Sequence, residues 1–92
     1  MGIAYENGLG VLKSLEEAVR WYLKAADQGH ADAQFCVGYA YKYGQGVPQS
    51  LKKAFGWYHK AADQGDADAQ FAVGYAYNYG EGVPKSPKKA FG

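Results

Sequence analysis

WYLKAADQGHADAQFCVGYAYKYGQGVPQSLKKAFG, residues 21–56, is followed without a gap by WYHKAADQGDADAQFAVGYAYNYGEGVPKSPKKAFG, residues 57–92. Of the 36 aligned positions, 29 are identical and seven differ. The same offset reaches back to the start of the chain. Gly2, Tyr5, Gly8, Gly10, Val11, Ser14, Ala18 and Trp21 fall under Gly38, Tyr41, Gly44, Gly46, Val47, Ser50, Ala54 and Trp57. Self-similarity at a period of about 20–50 residues is the signature of a solenoid, in which each unit hides its apolar face only against its neighbours.

One period holds two helix-length stretches separated by glycine. The first, helix A, is expected over about 31–43, where Ala33, Val37, Ala40 and Tyr41 recur at helical spacing. Gly44 can take the left-handed conformation of a C-terminal cap, and Pro48 cannot continue the helix. Helix B is expected over about 51–63, with Ser50 as N-cap and a stripe of Leu51, Ala54, Phe55, Tyr58, Ala61 and Ala62. In the preceding unit, Ser14 and Glu17 have the spacing of a full capping box. Gly29 and Gly65 close the B helices. The fold class is therefore all-α, an α/α superhelix of antiparallel hairpins.

Gly38 and Gly74 fall inside helix A, where glycine costs about 1 kcal/mol relative to Ala. Repeating that cost in each unit predicts a place where two helices nearly touch. Ala54, Ala61 and Ala62 would serve the same contact from helix B, with Trp57, Tyr58 and Tyr41 filling the remaining space.

Composition narrows the function. The chain has 92 residues, a net charge of +1, 48% hydrophobic and 21% charged residues. That is the balance of a folded globular protein, with no long-range field to gather nucleic acid or an anionic membrane. Apolar stretches are too short for a transmembrane helix, and no basic n-region or apolar h-region of a signal peptide follows Met1. Compartment is left open. The single cysteine, Cys36, excludes an internal disulfide framework.

The pattern Ala33, Gly38, Tyr41, Gly44, Gly46, Val47, Ala54 and then WYHKAADQG from 57 to 65 resembles the Sel1-like repeat, a relative of the tetratricopeptide repeat. Ala69, Gly74, Tyr77, Gly80, Gly82, Val83 and Ala90 repeat it. The resemblance implies a right-handed superhelix and an adaptor role, holding partner proteins. Some cysteine-rich bacterial members carry a disulfide in each unit, and this chain departs from them. The expected organisation is a single array over 1–92, about two and a half repeats, with 1–20 partial and 21–56 and 57–92 as full periods. Neither end reads as a polar cap, so the chain is expected to be part of a longer array or to stack end to end with copies of itself.

In such arrays the A helices line the concave surface. Asp32, Cys36, Tyr39 and Tyr43 follow at steps of four, three and four, opposite Val37 and Tyr41, with Asp68, Ala72, Tyr75 and Tyr79 as counterparts. Ile3 and Asn7 take these places in the first unit, and Lys42 and Asn78 flank the stripe. Tyrosine on a rigid face gives large contact area at low entropic cost. The predicted partner-binding set is Asp32, Cys36, Tyr39, Lys42, Tyr43, Asp68, Tyr75, Asn78 and Tyr79, for a protein or peptide ligand. The competing reading is that Tyr39 and Tyr43 pack sideways on the adjacent A helix.

Other patterns imitate chemistry and are better explained by structure. Ser50 to Lys53 and Ser86 to Lys89 fit the S-x-x-K motif of penicillin-recognising enzymes without its companions, and helix capping accounts for both serines. Ser86-Pro87-Lys88-Lys89 imitates a minor-groove tail but starts a helix in a nearly neutral chain. Gly44 and Gly46 lack the third glycine and preceding strand of a dinucleotide fingerprint. His30 and His59 are replaced by Asp66 and Leu23 in the neighbouring unit and have no metal-ligand spacing. Cys36 aligns with Ala72, which suggests a small residue and not a catalytic thiol. Asp27, Asp32, Asp63, Asp66 and Asp68 cluster at the B–A turns, where they can cap the next helix. No enzyme, cofactor or metal site is expected.

Overall fold

The computed structural model describes residues 8–91, with side chains from 14 to 90. Gly2, Ile3, Tyr5 and Asn7 lie outside the described residues. Five helices follow one another: α1 (Gly8–Asp27), α2 (Ala31–Tyr43), α3 (Leu51–Asp63), α4 (Ala67–Tyr79) and α5 (Pro87–Phe91). No strand occurs among the described residues. Substantial packing joins only consecutive helices, and the body measures 47 × 25 × 17 Å. This is the elongated geometry of a solenoid of helical hairpins.

α2 and α4 are the A helices, and α3 is the complete B helix. Their ends follow from local chemistry. Gly44 (φ 65°) ends α2 with its N–H donated to the Ala40 carbonyl, and Gly80 does the same for α4. Ser50 caps α3, its hydroxyl accepting from the Lys53 N–H at 3.2 Å, and Ser86 does so toward Lys89 at 3.4 Å. Asp66 caps α4 by accepting from the Ala69 N–H at 2.9 Å. His30, in the same place before α2, makes no such bond.

The expected capping box at Ser14 is not present. α1 runs through it from Gly8, so Ser14 is an interior helical residue. The physical reason lies two residues earlier. Leu12 stands where Pro48 and Pro84 stand in the later units, and it keeps the N–H that proline removes. Without the break, the A–B loop of the first unit is replaced by continuous helix.

The core is built mostly from alanines, with Val19, Val37 and Tyr58 buried among them. Ala26, Ala33 and Val37 form its centre, with Leu23, Ala25, Tyr41 and Trp57 packed on it half-buried. Ala54 and Ala61 are buried, as the B stripe predicts, whereas Leu51 is exposed. Phe55 meets Tyr77 edge-on at 5.3 Å between α3 and α4. A glutamine clamp joins helices across the turns: the buried Gln34 amide donates to the Ala26 carbonyl and accepts from Gln64, and Gln70 donates to the Ala62 carbonyl.

The A–B loop is held against the preceding B helix. A Cβ on Gly46 (φ 78°) would fall 2.6 Å from the Leu15 carbonyl oxygen, and one on Gly82 would collide with that of Leu51. No side chain fits there, which accounts for the second glycine of each loop.

Gly38 is where two helices nearly touch. An added Cβ would lie 2.7 Å from the Tyr58 ring and 3.2 Å from the Ala54 carbonyl. Gly74 differs from the expectation: the nearest atom to its Cβ would be the Ala90 carbonyl at 3.4 Å, an ordinary contact. The ring that fills the Gly38 notch has no counterpart over Gly74 among the described residues.

Candidate functional site on the A helices

The two A helices present matching ladders of side chains on the face away from Val37. From N- to C-terminus α2 carries Asp32, Phe35, Tyr39 and Tyr43, and α4 carries Asp68, Phe71, Tyr75 and Tyr79. Helical spacing alone places each set on one face, since steps of three and four return to the same side. The rings of Tyr39 and Tyr43 lie 4.7 Å apart, and those of Tyr75 and Tyr79 lie 4.5 Å apart. All four tyrosines remain exposed, from 40% at Tyr75 to 60% at Tyr79. Their packing along the same helix therefore leaves about half of each tyrosine open to solvent.

Between α2 and α4 lies a cleft of about 390 Å³. Tyr39, Lys42 and Tyr43 form one wall, Asp68, Phe71, Ala72 and Tyr75 the other, and Phe35 and Tyr58 the floor. Tyr58 reaches it from α3, its ring tilted 45° against that of Phe35 at 5.2 Å. Burial, and after it the neighbouring Tyr43, Tyr39, Glu81 and Cys36, together push the Tyr58 phenol up to about 12. The floor is therefore a neutral phenol at physiological pH.

Lys42 ties the cleft together. Its ammonium sits 4.8 Å from the Tyr75 ring centre and 5.4 Å from that of Tyr43, and it pairs with Glu81 at 3.4 Å. Lys42 and Glu81 are two of the positions that differ between units, being replaced by Asn78 and Gln45. They cooperate across the repeat boundary to lock α2 to the loop after α4.

Of the predicted set, Tyr39, Lys42, Tyr43, Asp68 and Tyr75 converge on this cleft. Asn78 and Tyr79 border a separate hollow of about 300 Å³ on the far side of α4, with Gly74, Phe71 and Ala90. Cys36 lines a hollow of about 250 Å³ between α1 and α2. Its thiol is raised by burial and, secondarily, by the charge of Asp32, which places that carboxylate near the same hollow. Such a thiol is a weak nucleophile. Phe35, Phe71 and Tyr58 belong to the cleft and were not predicted. Phe71 is 74% exposed, the most open of the large apolar side chains. The signal for the phenylalanines was available, because each stands four residues before a ladder tyrosine. Tyr58 could not be found that way, since it comes from the other helix of the hairpin.

The Sel1 repeat family model matches the chain in three segments, 1–30, 31–66 and 67–92. This chain belongs to the Sel1 repeat family. It is similar to the crystal structure of a Sel1 repeat protein from Oxalobacter formigenes, with a TM-score of 0.79 and 45% identity over 82% of this chain and 30% of that one. It is also similar to c5321, a protective antigen present in uropathogenic Escherichia coli strains that displays an SLR fold. There the TM-score is 0.81, with 41% identity over 83% of this chain and 16% of that one. The chain thus spans less than a third of either structure. No curated protein matches it. Sel1 repeats are generally protein–protein interaction modules and typically non-catalytic scaffolds. No helix among the described residues is long and apolar enough to cross a membrane.

Proposed function

We propose that this Sel1 repeat array is a non-enzymatic scaffold that binds a protein or peptide on the concave face of its A helices. The observation that supports this most is the cleft between α2 and α4, walled by exposed tyrosines and Phe71 on rigid helices. Exposed aromatic side chains on a preformed surface supply contact area with little ordering cost. The serines of the two S-x-x-K matches act as helix caps, which accounts for them without a catalytic role.

The test is a pulldown with wild-type protein and the Tyr39→Ala/Tyr75→Ala double variant, with melting temperatures measured for both. Loss of partners at an unchanged melting temperature is the expected result. Retention of every partner by the folded double variant contradicts the site.

A second reading, end-to-end stacking of repeats, is favoured by the hollow beside Gly74. That hollow of about 300 Å³ is lined by Phe71, Gly74, Tyr75, Tyr79 and Ala90. Sedimentation that changes on dilution supports this reading, and a dilution-independent monomer argues against it.

A further inference from the structure

Three features of the α2–α4 cleft restrict what can occupy it. Its walls are rings: Tyr39 and Tyr43 on α2, Phe71 and Tyr75 on α4, with Phe35 and Tyr58 beneath. Both walls are helices, so neither offers a strand edge for backbone pairing with a bound chain. Even the last carbonyls of α2 are met, that of Tyr41 by the Ser50 N–H and that of Lys42 by the Gln49 amide.

The hydroxyl at the floor is the second feature. Tyr58 is only 5% exposed, and its hydroxyl makes no hydrogen bond to another described residue. It is not sealed off, since among the described residues no unpartnered side-chain polar atom is cut off from solvent. Besides the cleft, Tyr58 lines only a hollow of about 10 Å³, with room for one water at most. A neutral phenol so placed has a proton to donate into the cleft and no acceptor within the protein.

Charge is the third feature. Lys42 lies over Tyr75 and is already paired with Glu81 at 3.4 Å. The other charge of the lining is Asp68, exposed in the first turn of α4. The cleft thus selects mainly through ring faces and a buried phenolic donor. It suits a segment that is apolar, presents carbonyls in need of donors and has few N–H groups to leave unmet. Proline has no N–H, and a polyproline II chain leaves its carbonyls free of internal hydrogen bonds at low ordering cost. An amphipathic helix hides its carbonyls in its own hydrogen bonds and leaves the floor hydroxyl without an acceptor.

We propose that the cleft holds a proline-rich segment in the polyproline II conformation, its rings between Tyr39 and the Phe71–Tyr75 wall and one carbonyl accepting from the Tyr58 hydroxyl. This inference rests on the binding role of the A-helix face and adds the chemistry of its occupant.

The experiment pans a displayed library of random nonapeptides against the wild-type protein. The enriched peptides are then titrated by fluorescence anisotropy into wild type, Tyr58→Phe and Tyr39→Ala/Tyr75→Ala. Tyr58→Phe removes the hydroxyl and keeps the ring over Gly38, so the melting temperature at neutral pH is expected to stay unchanged. The expected enrichment is proline, and affinity for Tyr58→Phe is expected to fall roughly fivefold. Peptides that need Tyr39 and Tyr75 without being enriched in proline overturn the proline assignment and leave the binding face standing. Proline-rich peptides that bind wild type and Tyr58→Phe equally overturn it as well. Enrichment of no peptide that depends on Tyr39 and Tyr75 overturns both readings.

Discussion

Gly38 and Gly74 occupy the same position in successive units, yet the first lies under the Tyr58 ring and the second has only the Ala90 carbonyl at contact distance. Phe35 shows the same contrast with Phe71: one packs at a tilt on Tyr58, and the other is 74% exposed. A repeat fixes which residue is offered, whereas the neighbouring helix decides what that residue does. Tyr58 makes the difference, and the position one period on from it falls past Gly92, so the contrast follows the extent of this chain and not the unit itself.

The largest way to break this contrast is to remove the ring. Tyr58→Ala empties the Gly38 notch and the floor of the cleft together, and the expected loss is about 3–5 kcal/mol by the usual cost of deleting a buried aromatic. Denaturant unfolding measures it; a loss below about 1 kcal/mol would show that the notch is not tightly packed.

Gly38→Ala and Gly74→Ala should then move in opposite directions. The first gains helix propensity but forces the Tyr58 ring and the Ala54 carbonyl apart, for a net cost of about 1–2 kcal/mol. The second gains up to about 1 kcal/mol, since its Cβ enters ordinary contact distance. For a domain of this size each kcal/mol shifts the melting temperature by about 4–8 °C, so the sign is readable by thermal melts.

The Tyr58 phenol offers a pH-dependent version of the same contrast. Its folded value is raised from 10.0 to about 12, so the folded state holds the proton more tightly than the unfolded chain. The resulting stabilisation is fully present below pH 10 and is lost as pH rises through about 12. Wild type is expected to lose more stability than Tyr58→Phe across that window. Parallel alkaline melts of the two proteins would remove the phenol from the account.

The smallest effects are at the caps. Asp66→Ala should cost about 1 kcal/mol, and His30→Asp should gain a comparable amount by supplying α2 with the cap that α4 already has. Equal responses to His30→Asp and His30→Ala would show that the missing hydrogen bond is not what distinguishes the two helix starts.

Much of this was legible in the sequence, because caps and stripes are local. The bounds of α2 and α3, the Ser50 cap, the left-handed glycines and the tyrosine ladders all follow from spacings of a few residues. Ser14 misled for an equally local reason: the repeat register predicted a break that Leu12, lacking the constraint of proline, does not impose. The cleft floor was not legible, since Tyr58 reaches it across the hairpin. Nor was the Lys42–Glu81 pair, whose partners belong to different units and have no helical spacing between them.

The central claim is that a partner is held by the A-helix face. It is tested most directly by amide hydrogen exchange on the protein with and without a partner recovered by pulldown. Added protection is expected within α2 and α4, around Asp32 to Tyr43 and Asp68 to Tyr79. Protection concentrated instead around the Trp21–Lys24 and Trp57–Lys60 pairs, where each lysine lies about 4.5 Å over its tryptophan on a B helix, would contradict it.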